Sequence, residues 1–193
     1  NFTVNDVGEI VYGLGAIRGL GEGPVENLLK ARAEKRFMSL VDMCQRIDSQ
    51  TVNKRTMEAL IRSGALDNLV EGDFNHSRAY LSVALPGAMR AAEQSSRNMA
   101  SGVEDLFGEI APTEPEIETA IETRHSFQPW AEQERLSAEK YTLGLYLSGH
   151  PIDEFLPELA HVTKDRIANL RPERGAQLVA GLLHGFRTMK SKA

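Results

Sequence analysis

Gly13, Gly15, Gly19, Gly21 and Gly23 fall between Tyr12 and Pro24. No helix or strand interior tolerates that density of glycine, because each one adds backbone entropy that ordering must remove. The stretch is therefore a turn-rich connection, and the segment after it reads as a helix. Pro24 suits a first helical position, Val25, Leu28 and Leu29 are apolar, and Glu26, Lys30 and Arg32 are polar. A glycine loop feeding a helix presents uncommitted backbone N–H groups at the positive end of the helix dipole, an arrangement that suits a phosphate.

The kind of phosphate is narrowed by spacing. A dinucleotide fingerprint needs Gly-x-Gly-x-x-Gly after a strand; counted from Gly13 the last position is Arg18, and from Gly19 it is Pro24. A P-loop needs a terminal Gly-Lys-Ser/Thr, which the stretch lacks. The better fit is a helix-hairpin-helix, in which an apolar residue and a spacer precede Gly-apolar-Gly and then a helix. Here that is Ile17-Arg-Gly-Leu-Gly21, with Leu20 as the plug into the core. The N–H groups from Gly19 through Gly21 to Gly23 would face one DNA phosphate, with Arg18 and Lys30 adding charge, a contact that positions the backbone and reads no base. Residues 40–66 suit a second, degenerate copy, with Asn53, Lys54 and Arg55 at its helix start. The competing reading is a tight helix connector with no ligand.

The remaining pattern is mainly helical. Residues 1–12 read as an extended lead-in. Ser39 suits the cap of a helix carrying Leu40, Val41, Cys44 and Ile47, and Asn53 the cap of one carrying Met57, Leu60 and Ile61, closed at Ser63-Gly64. A longer helix is predicted over 75–97, where Leu81, Ala84, Leu85, Ala88, Met89 and Ala92 form one stripe, with a kink or break at Pro86-Gly87. Residues 98–129, rich in proline and glutamate, read as loop. Ser137 is expected to cap a helix through Leu143 and Leu147 to Gly149, a short helix comes next over 152–160, and Thr163 caps a last one to Leu170. The apolar run from Leu178 to Leu183 looks like the start of a strand without a partner. The expected organisation is a helix-hairpin-helix region over 1–70, a linking helix over 71–97, an acidic loop over 98–129, a small helical region over 130–175 and a truncated strand over 176–193. A start at Asn1 and that lone strand suggest an excised piece of a longer polypeptide.

Charge is unevenly distributed. The net charge of -5 argues mildly against nucleic acid, yet residues 12–66 hold nine basic and six acidic side chains, while residues 104–139 hold ten acidic side chains against Arg124 and Arg135. The two segments should have different partners. Cys44 is the single cysteine, which precludes an internal disulfide and fits a reducing compartment. No run of roughly 18 apolar residues points to a membrane span.

Within the acidic stretch, Asp105-Leu-Phe107 is either a short docking motif that inserts apolar side chains into a partner pocket or a pin that holds the loop to the body. Hydrolytic and metal chemistry has little support. His76, His125, His150, His161 and His184 are scattered without ligand spacing, and Ser148-Gly-His150 lacks the flanking glycine of a nucleophile elbow, position 146 being Tyr. No self-contained active site is expected, and no catalytic or metal-binding residue is nominated.

In order along the chain, Tyr12-Gly-Leu-Gly-Ala-Ile-Arg-Gly-Leu-Gly-Glu-Gly23, Val52-Asn-Lys-Arg55 and Ala59-Leu-Ile-Arg-Ser-Gly-Ala-Leu-Asp67 resemble the catalytic alpha subunits of bacterial DNA polymerase III. Asp105-Leu-Phe-Gly108, Gln128-Pro-Trp130 and Leu143-Gly-Leu-Tyr-Leu-Ser-Gly-His-Pro-Ile152 continue the resemblance over essentially the whole chain. It implies a mainly α fold from the C-terminal half of such a polymerase: a helix-hairpin-helix pair with a helical bundle, then the first strand of an oligonucleotide-binding barrel over 177–190. It also implies a bacterial, cytoplasmic replication protein whose Mg2+-binding palm aspartates lie elsewhere, leaving this piece without catalytic residues or a cofactor of its own. The implied partners are product duplex DNA, the other holoenzyme subunits and the sliding clamp, the last reached through Val103, Asp105, Leu106 and Phe107. The family's clamp motif begins with Gln where this chain has Val103, so weaker clamp binding is expected. The alternative of a different class is a non-enzymatic helix-hairpin-helix module of a repair or recombination protein.

Overall fold

The chain opens on a short antiparallel ladder, Thr3–Val4 (β1) against Ile10–Val11 (β2), with Thr3 opposite Val11 and Val4 opposite Ile10. Its turn is held by the Asn5 side chain, which accepts the N–H groups of Val7 and Glu9. The computed structural model describes residues 2–101, 127–163, 167–172, 175–183 and 187–189. They fall into two units, Asn1–Tyr146 and Leu147–Ala193. The described residues are mainly helical, as the sequence leads one to expect.

In the first unit a single 3-10 turn, Leu14–Ala16, precedes Glu22–Glu34 (α1), Leu40–Arg46 (α2) and Lys54–Arg62 (α3). Ser39 and Asn53 cap α2 and α3, accepting the N–H groups of Asp42 and Thr56. Phe74–Ser101 (α4) starts one residue before the predicted helix, because the Asp73 carboxylate accepts the His76 N–H at its first turn. Of the kink or break expected at Pro86, the break is absent: the helix continues past it. Pro86 and Ser82, whose carbonyl loses its helical partner there, both lie on the solvent side, where the freed carbonyl is open to water. The opposite stripe of α4, Leu81, Ala84, Leu85, Ala88 and Ala91, is buried against α2 and α3. Met43, Met57, Leu60 and Ile61 fill the interior of this core. Cys44 belongs to it, and burial pushes its thiol up to about 12.

Glu132–Leu143 (α5) completes the unit and corrects the sequence expectation at both ends. It begins after Ala131, not at Ser137, with Glu132 and Glu134 in the first turn where the dipole favours carboxylates. It ends at Gly144, whose φ of 78° suits the left-handed C-terminal position, not at Gly149. The buried face of α5 is Arg135, Leu136, Glu139, Thr142 and Leu143. Glu139 is fully buried and accepts from the Arg78 guanidinium at 2.9 Å, while Asp67 takes the other edge of Arg78 at 3.0 and 2.8 Å. This ionic clasp joins α4, α5 and the 3-10 turn Asp67–Leu69. Burial alone would lower the Arg78 pKa, but the two carboxylates outweigh it and hold the cation above its ordinary value. The guanidinium lies over the backbone of Gly64, which closes α3 at a φ of 80°.

The second unit holds the 3-10 turn Asp153–Phe155 and Leu156–Val162 (α6). Thr163 ends α6 by donating its N–H to the Leu159 carbonyl, and Ile167–Asn169 is a 3-10 turn; residues 164–166 of the helix expected after Thr163 lie outside the described residues. No strand forms among the described residues of 177–190, where Leu178 and Leu183 are exposed and no ladder partner is present. No helix among the described residues is long and apolar enough to cross a membrane.

Candidate nucleic-acid interface

The first hairpin is built by two apolar plugs with a turn between them. Ile17 and Leu20 are buried, and the Leu20 N–H closes the turn on the Ile17 carbonyl at 3.1 Å. Bringing two plugs so close requires left-handed backbone, which Gly19 supplies with a φ of 95°. Gly21 is the N-cap of α1 and offers no side-chain cap, and Pro24 sits within the first turn. The backbone N–H groups of Glu22 and Gly23 therefore point out of the helix start with no intrahelical partner.

The glycines differ in what they do. Gly19 is demanded by its conformation. Gly21 has an ordinary extended backbone (φ -80°, ψ 176°), and a Cβ there would come no nearer than 3.9 Å to Pro24 Cδ. A Cβ on Gly23 would make ordinary contact, 3.6 Å, with Thr51 Cγ2. Neither conformation demands glycine: Gly21 sits at an N-cap that Ser, Thr, Asn or Asp could fill, and a glycine within a helix, as at Gly23, costs about 0.5–1 kcal/mol relative to alanine. What their bare backbone leaves is an exposed, unobstructed approach to the N–H groups.

The second hairpin repeats the plugs without the glycines. Ile47 and Val52 are buried as Ile17 and Leu20 are, and each second plug directly precedes the N-cap of its helix. The hairpins touch: Thr51 faces Gly23, the Asn27 side chain accepts the Asp48 N–H at 3.1 Å, and Gly19 lies against Ala59 of α3. In the second loop, however, several groups are already engaged. The Asp48 carboxylate accepts from the Gln50 N–H and the Thr51 hydroxyl, the Asp48 carbonyl accepts from the Thr51 and Val52 N–H groups, and the Asn53 side chain accepts from Thr56. The Thr51 hydroxyl, with the Gln50 N–H, holds the Asp48 carboxyl below its ordinary range, so a fixed anion sits in this loop. The second loop thus carries a held carboxylate and a side-chain cap that the first lacks, which favours the first as a phosphate seat, while the first-turn N–H groups of α3, like those of α1, have no intrahelical partner.

Arg18, Gly19, Gly21, Gly23, Lys30, Lys54 and Arg55 are all exposed. Arg18 belongs to the first hairpin itself. Lys30 lies about 12 Å further along α1, at 1.5 Å per residue from its start. Lys54 and Arg55 open α3 beside the acidic second loop, and Lys54 is 3.8 Å from Glu58 in an exposed pair. Val103, Asp105, Leu106 and Phe107 lie outside the described residues.

Support for the hairpin from α5 has no signature in the sequence. The Arg18 N–H donates to the Thr142 carbonyl at 2.8 Å, and the Arg18 guanidinium carbon lies 5.0 Å from the centre of the Tyr141 ring. The Tyr12 hydroxyl donates to the Leu143 carbonyl at 2.8 Å. Only Tyr12, directly before the glycines, could have been suspected from its position; Tyr141 is some 120 residues distant, with no periodic pattern to link the two.

Comparison with known proteins agrees with this geometry. Residues 1–81 match the helix-hairpin-helix motif family, a match that spans both hairpins and stops before α5. The chain is 47% identical over 202 residues to DNA polymerase III subunit alpha of Pseudomonas aeruginosa, with 99% of this chain and 17% of that protein covered. It is 45% identical to the Pseudomonas fluorescens subunit over 201 residues, covering 99% of this chain and 17% of that one. Against the Escherichia coli K12 subunit the identity is 43% over 196 residues, covering 100% of this chain and 16% of the relative. The chain thus spans about 17% of the length of the relatives it matches.

Proposed function

For a chain homologous along its whole length to one segment of the DNA polymerase III alpha subunits, we propose the role of a non-catalytic DNA-holding segment of a bacterial replicative polymerase. The first hairpin binds a backbone phosphate of duplex DNA, and nucleotidyl transfer takes place in a metal-dependent palm outside these residues. The observation that carries this reading is the pair Gly21 and Gly23, which the fold does not require, at an uncapped helix start. Homology over the full chain favours a replicative polymerase over a separate repair module. The same reading assigns it to a cytoplasmic holoenzyme.

The test is binding of a labelled mixed-sequence duplex across a salt series. Each phosphate neutralised contributes about 0.9 to the slope of log affinity against log salt. Gly21→Val, whose Cβ the backbone accommodates, should weaken binding while the protein stays folded, the loss of a favourable N-cap residue costing about 1 kcal/mol or less. Binding that is independent of salt and of Gly21→Val would refute the phosphate contact.

The finer part of the proposal is that residues 103–107 dock on the sliding clamp. Its support is the apolar pair Leu106 and Phe107 in an acidic stretch, together with the family resemblance. Binding to a purified bacterial sliding clamp should be lost in Leu106→Ala/Phe107→Ala, and unchanged affinity would sink this part alone.

A further inference from the structure

We infer that the DNA-holding unit extends beyond the helix-hairpin-helix motif to α5, with Tyr141 as a positioning residue that holds the Arg18 guanidinium for a phosphate. The inference rests on the phosphate reading of the first hairpin and adds an element that the motif match, ending at residue 81, does not contain.

Three observations converge on the last turn of α5. The Arg18 guanidinium stands 5.0 Å from the Tyr141 ring centre, within the range of a cation–π contact. The backbone of the same arginine is fixed separately, by its N–H to the Thr142 carbonyl at 2.8 Å. Tyr12 ties the residues just before the glycines to the same helix end through the Leu143 carbonyl. A free arginine on a glycine-rich loop would sample many rotamers and lose that freedom on binding. Here both ends of Arg18 are held before any ligand arrives.

The electrostatics leave the cation available. Among the described residues no carboxylate forms an ion pair with Arg18, whereas Arg46 and Arg135 each have one and Arg78 has two. A ring contact restrains the guanidinium without neutralising it, and its N–H edges stay open to an anion. Tyr141 is 59% exposed and is not needed for the core.

The experiment uses the full 193-residue chain and a fluorescein-labelled mixed-sequence duplex across a salt series. Arg18→Ala should reduce the salt slope by about 0.9. Tyr141→Ala should weaken binding about two- to fivefold, the equivalent of an exposed cation–π contact. Tyr141→Phe, which keeps the ring, should restore native affinity, and Arg18→Ala/Tyr141→Ala should bind no more weakly than Arg18→Ala alone. The inference is overturned if Tyr141→Ala binds like the native chain while Arg18→Ala does not. It is equally overturned if the Tyr141→Ala loss persists in the Arg18→Ala background, which would mark a general effect on α5. If Gly21→Val and Arg18→Ala both leave binding unchanged, the phosphate reading fails first and this inference falls with it.

Discussion

Removing the carboxylate of Glu139 should loosen the hairpin from a distance. Glu139 is fully buried, the Arg78 side chain is 3% exposed, and their ion pair is 2.9 Å long. Truncating one partner of a buried pair costs about 3–5 kcal/mol, because the other charge is left buried without its counterpart. Arg78 keeps the two contacts of Asp67, so Glu139→Ala should fall at the low end, about 3 kcal/mol. At about 2–4 °C per kcal/mol for a domain of this size, the melting temperature falls about 6–12 °C. Glu139→Gln keeps an acceptor in place and should lose about half as much. Melting followed by far-UV circular dichroism checks both, with Glu58→Ala in the exposed Lys54 pair as a control expected to change stability by no more than about 0.5 kcal/mol. Thr142, three residues beyond Glu139, holds the Arg18 amide, so hydrogen exchange at Arg18 should quicken in Glu139→Ala while amides in the middle of α1 change less. A melting temperature within about 2 °C of native would refute the reasoning that the clasp fixes α5.

Two further outcomes concern the same corner. Gly64→Ala adds a Cβ only 2.9 Å from Arg78 Cζ and closer still to its Nη2, at a left-handed φ of 80°; it should lose more than the roughly 1–2 kcal/mol of the backbone conformation alone, as read by urea unfolding. Burial, aided by the charge of Glu139, raises the Asp67 carboxyl above its ordinary 3.8 despite the lowering pull of Arg78. Its contribution to stability is thus fully present below the unfolded pKa near 3.8 and is lost as the pH rises through the higher folded value. Asp67→Asn should remove that fall from the stability–pH curve, and an unchanged profile would contradict the raised pKa.

The first hairpin was legible because its requirements are local: two apolar plugs, a residue able to take positive φ, and a helix start. Asn53 with Met57, Leu60 and Ile61 revealed α3 for the same reason, a side-chain cap followed by an apolar stripe. The limits of α5 were not legible, since its buried face carries Arg135, Glu139 and Thr142, which read as solvent-facing unless Arg78 and Asp67 are known to be opposite. That the helix continues through Pro86 was not legible either, because its sequence position does not reveal that it faces water. The contact of Tyr141 with Arg18 depends on tertiary packing, which no spacing in the sequence encodes.

The two hairpins share their plugs and differ in their glycines, and this separates two kinds of information in the chain. Ile17 and Leu20, like Ile47 and Val52, state where a turn must sink into the interior. Gly21 and Gly23 leave the approach from outside open. A copy can therefore carry Asp48, Thr51 and Asn53 in place of glycines, engage part of its loop internally and keep the same plugs. Searching by glycine spacing would count one hairpin in this chain, whereas searching by paired plugs ahead of a helix cap counts two. The pair is thus asymmetric: the plugs are common to both members, and the open glycine approach belongs to the first.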